Sequence, residues 1–176
     1  TKMNALKCME WALNHGRCHV DNKQEVPDQG VVSEIKSFED LYQRILDNFR
    51  LVMETSANHM VETQHLRSIV APVPLLSAFL DGPIEKGKDM TEMGARFILG
   101  GIIAEGISHL IDSLTAVRRV VFREKYCTIE QVAEAIDHNF KGYENLRTRL
   151  ASCPKYGANQ VEADEIGSRL MKDYSH

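Results

Sequence analysis

The sequence predicts a mostly α-helical chain with one to three short β-strands. Three observations lead there. Apolar residues recur every three to four positions in several long stretches, the period of a helix face. Two of those stretches follow capping signals, Ser37 with Asp40 and Thr128 with Gln131. Glycine and proline fall mainly between the periodic stretches.

Met3, Leu6, Met9, Ala12 and Leu13 predict a first helix over residues 2–14, with Gly16 as its stop signal. Residues 15–35 are polar, contain Pro27 and Gly30, and are expected as a long exposed loop. Ser37 opens a second helix. Its stripe of Phe38, Leu41, Ile45, Leu46, Phe49, Val52 and Met53 should pack on a core, and it should run to about His65. Pro72 and Pro74 end that register. Val73 to Leu80 fits a short helix or a strand, Gly82-Pro83 a turn, and Gly87 to Gly94 a polar loop. Arg96 to Leu99 is the best strand candidate. A helix from about Ala104 to Lys125 follows, striped by Ile107, Leu110, Ile111, Leu114, Val117, Val120 and Val121. The Thr128 box opens a helix that stops at Gly142. A short helix over Tyr143 to Ala151 and a last one over about Val161 to Asp173 complete the chain.

The 176 residues suit one core, and 43% hydrophobic with 26% charged residues is globular composition. A net charge of -4 gives no electrostatic basis for binding nucleic acid. Arg118, Arg119, Arg123 and Lys125 are expected to form a solvated helix face. No apolar run reaches the roughly 18 residues of a membrane span, and the start carries no signal-peptide pattern. Four cysteines without regular spacing point to a reducing, cytoplasmic setting rather than a disulfide framework.

His15, Cys18, His19 and Asp21 are metal-ligand types, but their spacing matches no closed tetrahedral pattern, so no metal is expected and a polar surface loop is. His59, His65 and His138 are expected exposed on helices. Gly100-Gly101 lacks the context of either phosphate-binding fingerprint; these glycines better suit close backbone approach.

Several phrases carry a further signal. They are Leu6-Lys7-Cys8-Met9-Glu10-Trp11-Ala12-Leu13-Asn14-His15-Gly16, Glu85-Lys86-Gly87-Lys88-Asp89, Gly94-Ala95-Arg96-Phe97, Asp112-Ser113-Leu114-Thr115-Ala116-Val117, Asn139 to Arg147, and Pro154-Lys155-Tyr156-Gly157. In this order and spacing the chain resembles glycyl radical enzymes of the pyruvate formate-lyase type, especially the diol-dehydratase-like and decarboxylase-like lyases. The resemblance covers nearly the whole chain. It implies one segment, residues 1–176, of the domain that forms a ten-stranded α/β barrel. A closed barrel keeps an organic radical from water and oxygen.

The resemblance implies anaerobic lyase or acyltransferase chemistry on a small-molecule substrate. A separate radical S-adenosylmethionine activase would install the glycyl radical, which passes to a cysteine that abstracts hydrogen from substrate. The partners implied are the rest of the barrel and the activating enzyme, and the exposed barrel-facing surface admits a homodimer. The family's Gly-Cys-x-Glu-like and Arg-x-x-Gly-Tyr-like loops do not occur in this chain. It is therefore expected to be an internal piece, inactive alone and without a catalytic residue. The alternative is a stand-alone helical structural or partner-binding module derived from such an enzyme. Cys8-Met9-Glu10 mimics the Cys-x-Glu pair, yet Cys8 follows Lys7 and sits inside a helical period; a packed cysteine is expected.

Arg96, Ile98 and His109 are the candidate wall residues for substrate. Where the family strand commonly reads Arg-Tyr-Asn, this chain has Arg96-Phe97-Ile98; His109 stands for a frequent Asn, and Met93 and Pro83 for a Gly and a Cys. These departures imply a more apolar wall: either a substrate less polar than a small diol, or lost catalytic constraint. The charged 85–89 loop is expected either as an ion-paired structural loop or as a contact to substrate or the radical domain. Pro154 to Gly157 divides the same way, and in the family it is chiefly a structural landmark.

Overall fold

The computed structural model describes residues 2–98 and 100–174. The chain divides into two compact units, a larger one of Asn4–Leu51 and Ala104–His176 and a smaller one of Thr1–Met3 and Val52–Ile103. Helices dominate, and two strands, β1 (Lys2–Asn4) and β2 (Ile103–Glu105), pair with each other.

In the larger unit, α1 (Ala5–Leu13) starts where the Asn4 side chain accepts a hydrogen bond from the Leu6 amide at 3.1 Å. It buries Ala5, Cys8, Met9, Ala12 and Leu13. Gly16, at φ +74°, closes it by donating to the Trp11 carbonyl at 2.9 Å. A Cβ at Gly16 would meet the Val26 carbonyl oxygen at 2.3 Å, so no side chain fits there.

The long helix α2 (Phe38–Val70) begins in this unit. Asp40 N donates to Ser37 Oγ at 3.1 Å and Ser37 N to Asp40 Oδ2 at 2.8 Å, a reciprocal cap. Its first turns bury Leu41, Tyr42, Ile45, Leu46 and Phe49. The next helix, α5 (Ile107–Val117), packs on α1, on α7 (Glu144–Ala151) and on α8 (Val161–Tyr174). Leu110, Ile111 and Leu114 on it are wholly buried. Each such side chain stabilises the fold by about 1.5–3 kcal/mol. Residues Arg118–Arg123 continue as a π-helical stretch, and α6 (Ile129–Asp137) opens with the Thr128–Gln131 capping box.

The smaller unit holds the second half of α2, the short helices α3 (Pro74–Ser77) and α4 (Pro83–Lys86), and a 3-10 turn, Met90–Glu92. Its apolar side chains lie largely in solvent. Val61, Ile69, Val70, Leu75, Phe79, Ile84 and Phe97 are exposed, Phe79 and Phe97 at 79% each. So large a concentration of exposed apolar groups marks a surface built to be covered.

Several boundaries differ from those the sequence predicts. Residues Lys2–Asn4 are strand, not the first turn of a helix, because β2 supplies their hydrogen-bonding partner. The predicted Arg96–Leu99 strand is absent over Arg96 to Ile98, and Leu99 lies outside the described residues. A strand needs a neighbour, and Ile103–Glu105 is the segment that finds one. The helix expected from Ala104 to Lys125 therefore starts at Ile107 and loosens into the π stretch at Arg118. Helix α2 runs past His65 to Val70, just short of Pro72. Helix α6 stops at Asp137, since Asn139 and Phe140 turn left-handed, at φ 50° and 59°. Val73 to Leu80 resolves as the helix α3 with a following turn. The 15–35 loop is mostly exposed as expected, but buried Cys18, Val26 and Ile35 pin it down.

Candidate functional site

The charged 85–89 phrase folds around one carboxylate. Asp89 Oδ2 accepts from Val73 N at 3.0 Å and Ser77 Oγ at 2.9 Å. Its Oδ1 accepts from Thr91 N at 2.9 Å and Thr91 Oγ1 at 2.6 Å. Ser77 Oγ in turn accepts from Met90 N at 2.9 Å, and Ser77 and Thr91 are both buried. Four donors favour the charged form, the Thr91 hydroxyl most of all, and hold the Asp89 carboxyl down to about 2. Glu85 accepts from the Gly82 amide at 3.1 Å, and Lys86 Nζ donates to the Ala95 carbonyl at 3.2 Å. Gly94 fits because a Cβ there would strike the Lys88 carbonyl oxygen at 2.1 Å. Within this chain, hydrogen bonds to backbone and hydroxyls, rather than the expected ion pairs, hold the loop.

The three wall candidates divide between the units. Arg96 and Ile98 belong to the smaller one and His109 to the larger. Arg96 is exposed; its Nη1 donates to Asp81 Oδ2 at 3.1 Å, its amide donates to the Asp81 carbonyl at 2.8 Å, and its guanidinium lies over the Phe97 ring. Ile98 is 47% exposed. His109 is exposed in the first turn of α5, where its carbonyl accepts from Ser113 Oγ at 2.8 Å.

The larger unit carries its own groove of about 410 Å³. Leu6, Met9, Leu13, Val117, Ile136 and Phe140 make it apolar, and none of the three wall candidates lines it. Two of the sequence phrases meet beside it. Asp112 Oδ1 accepts from the Tyr156 amide at 2.7 Å, joining the Asp112–Val117 phrase to Pro154–Gly157. The Tyr156 ring fills the space over Gly167 of α8, where an added Cβ would lie 2.6 Å from it and 3.2 Å from Ile111. Both phrases therefore fix the packing of α5 on α8. The sequence marks Asp112 only as the head of its phrase; the bond to Tyr156, 44 residues away, is not readable there.

Cys8 is completely buried in α1, and burial pushes its thiol up to about 12. It is a packed core cysteine, as its position in the helical period implies. The loop ligand types divide among several contacts, with Cys18 and Asp21 hydrogen-bonded to one another. His15 pairs with Asp28 at 3.2 Å, His19 with Asp137 at 3.3 Å, Asp21 with Lys23 at 2.8 Å, and Cys18 receives a hydrogen bond from Lys7. His59, His65 and His138 are exposed. Within the basic face, Arg119 and Arg123 both reach Glu162, at 2.8 and 2.9 Å. Within this chain Gly101 faces open space, and a Cβ on Gly100 would meet only the Met60 methyl at 3.2 Å. Among the described residues no helix is long and apolar enough to cross a membrane.

Comparison with known proteins extends this picture. The model of the family described as pyruvate formate lyase-like matches residues 1–176. Trans-4-hydroxy-L-proline dehydratase of Clostridioides difficile is 31% identical over 173 residues, covering 98% of this chain and 22% of that protein. Its structure with trans-4-hydroxy-L-proline bound superposes with a TM-score of 0.93. The B12-independent glycerol dehydratase of Clostridium butyricum gives 0.91 at 26% identity, and a glycyl radical enzyme of Archaeoglobus fulgidus 0.90 at 28%. Each of these structural matches covers 98% of this chain and 22% of the other. The chain thus spans about a fifth of the length of the proteins it matches, and its helices with their two short strands are those of a piece of a glycyl radical enzyme barrel.

Proposed function

The chain belongs to the pyruvate formate lyase-like family, and from that premise we propose that it is one segment, residues 1–176, of the barrel domain of a glycyl radical lyase. The observation that carries the reading is the pairing of 31% identity to a dehydratase with a TM-score of 0.93 over 98% of the chain. The exposed apolar surface of the smaller unit supports it: the rest of the barrel is the partner that would cover Val61, Ile69, Phe79 and Phe97.

The reaction in this reading is a radical C–O, C–C, C–N or C–S bond cleavage or formation on a small molecule, with dehydration favoured by the relatives' names. A glycyl radical, installed by a separate S-adenosylmethionine-dependent activase, would start it. The residues of this chain do not fit the radical carriers. Its cysteines stand outside any Gly-Cys-x-Glu sequence, and its glycines outside any Arg-x-x-Gly-Tyr sequence. No radical step is therefore assigned to them. What the segment would contribute is wall and frame. Arg96, Ile98 and His109 are the proposed wall residues, Arg96 oriented by Asp81. The Asp89 hub holds its loop in the smaller unit, and the Asp112–Tyr156 bond joins two segments of the larger one. The enzyme is taken to be cytoplasmic, acting in anaerobic metabolism, with assembly as a homodimer.

The test is electron spin resonance on the full polypeptide carrying these residues, activated without oxygen by its activase and S-adenosylmethionine. A glycyl radical doublet, with turnover of a small hydroxylated substrate, supports the reading. A fully activated preparation without a doublet overturns it. The 176-residue chain alone should give neither signal nor turnover.

A further inference from the structure

Lys7 and Cys18 form a cluster that the proposed radical chemistry leaves unused. Lys7 Nζ donates to Cys18 Sγ at 2.9 Å and to Glu10 Oε1 at 2.8 Å, and it lies 3.5 Å from Glu25 Oε2. The thiol is held in place. Cys18 is 7% exposed, its amide donates to the Lys23 carbonyl at 3.0 Å, and its carbonyl accepts from Asn22 N at 2.9 Å. Glu10 Oε1 also accepts from His19 N at 2.8 Å, so the carboxylate is clamped between the ammonium and the loop. An amine, a thiol and a proton acceptor thus share one spot between α1 and the loop that follows it.

We propose that Lys7 and Cys18 are an oxygen-sensitive pair, which dioxygen joins through a single bridging oxygen as Lys7 Nζ–O–Sγ Cys18. The balance is thiol plus amine plus O2 giving the N–O–S bridge plus water. The S–H bond and one N–H bond break, and one S–O and one N–O bond form. Sulfur and nitrogen each give up two electrons, and the two oxygen atoms take the four. The two hydrogens released leave in the water. A cysteine thiol oxidises through sulfur–oxygen species, and here the amine stands 2.9 Å from the sulfur.

At rest Lys7 is charged. Burial by itself would lower its pKa, but the hydrogen bonds to Cys18 and Glu10 and the charges of Glu10 and Glu25 outweigh it and hold it above the usual lysine range. The extra proton must leave before the N–O bond forms, and Glu10 is in contact to take it. The geometry selects the product as well. One oxygen between N and S spans nearly the separation already present, whereas a direct N–S bond would pull α1 and the loop far closer together. The bridge would tie residue 7 to residue 18 and stiffen the first part of the larger unit after exposure to air.

Peptide mass spectrometry on the full polypeptide tests this, one sample kept anoxic and one equilibrated with air, both alkylated under denaturing conditions and digested. The expected result is a peptide joining Lys7 to Cys18, heavier than its two parts by one oxygen less two hydrogens. It should be confined to the aerated sample and revert to separate peptides with dithiothreitol. Lys7→Arg keeps the charge and should abolish the joined peptide, leaving Cys18 to oxidise alone; Cys18→Ser should abolish it too. An aerated wild-type sample in which Cys18 is a free thiol, or carries only sulfinic or sulfonic acid, overturns the proposal. So does a joined peptide lighter by two hydrogens, the mark of a direct N–S bond.

Discussion

Replacing Asn48 by alanine should destabilise the larger unit by about 3–5 kcal/mol. Asn48 is 2% exposed on α2, and its Nδ2 donates to the Cys8 carbonyl at 3.0 Å and to Gln29 Oε1 at 3.2 Å. The side chain therefore links α2 to both α1 and the long loop. Truncation removes two hydrogen bonds of about 1 kcal/mol each and leaves a buried acceptor short of a donor, at about 1–3 kcal/mol more. Asn48→Asp is the sharper probe. It keeps the shape but sets an anion against two oxygen acceptors, so burial and repulsion should raise its pKa above the unfolded value of about 3.9. Its cost should thus be greatest at neutral pH and relax as the pH falls through the raised folded-state pKa, where the acid regains a proton to donate. Urea titration followed by Trp11, the chain's only tryptophan and a residue of α1, reads both effects. Asp47→Ala, at an exposed neighbouring position, serves as the control and should cost under about 0.5 kcal/mol. If Asn48→Ala costs no more than the control, or Asn48→Asp is insensitive to pH, the bridging role is refuted.

Gly94→Ala should open the 82–96 loop, because its Cβ would have to displace the Lys88 carbonyl oxygen from 2.1 Å; limited proteolysis should cut there faster than in wild type. Asp89 has a folded-state pKa of about 2 against about 3.9 unfolded, so its contribution to the loop is complete above about pH 4 and fades as the pH falls toward 2. Hydrogen exchange at the Val73 and Thr91 amides should show that loss of protection in acid, and Asp89→Asn should leave both amides weakly protected at neutral pH. Tyr42→Phe removes the hydroxyl that donates to Asp173 Oδ2 at 2.7 Å and should lower the urea-unfolding free energy by about 1.5–3 kcal/mol. An unchanged midpoint would mean that this bond does not help hold α8 on α2.

The parts legible in the sequence are those decided by near neighbours. The α5 stripe reads true at Leu110, Ile111 and Leu114, and both capping boxes form where Ser37 and Thr128 place them. The strands were not legible, because the pairing of Lys2–Asn4 with Ile103–Glu105 joins segments some hundred positions apart. Met3 shares a helical period with Leu6, and Ile103 precedes a helix, so each segment alone looks helical. Phe97 and Ile98 look like strand because they are apolar and bulky, but their side chains face solvent. The motif phrases led correctly to the glycyl radical enzymes. What anchors them, Ser77 and Thr91 on Asp89 and Tyr156 on Asp112, was hidden. Only an Asp-x-Thr turn signal at Asp89 could have pointed to part of it.

We read this chain as a piece of a radical lyase barrel. The intact mass of the gene product in its source cells, with peptide coverage of both ends, tests it most directly. A mass several times 19.9 kDa is expected, with a Gly-Cys-x-Glu-like peptide before these residues and an Arg-x-x-Gly-Tyr-like peptide after them. A product of 19.9 kDa carrying neither peptide would contradict it.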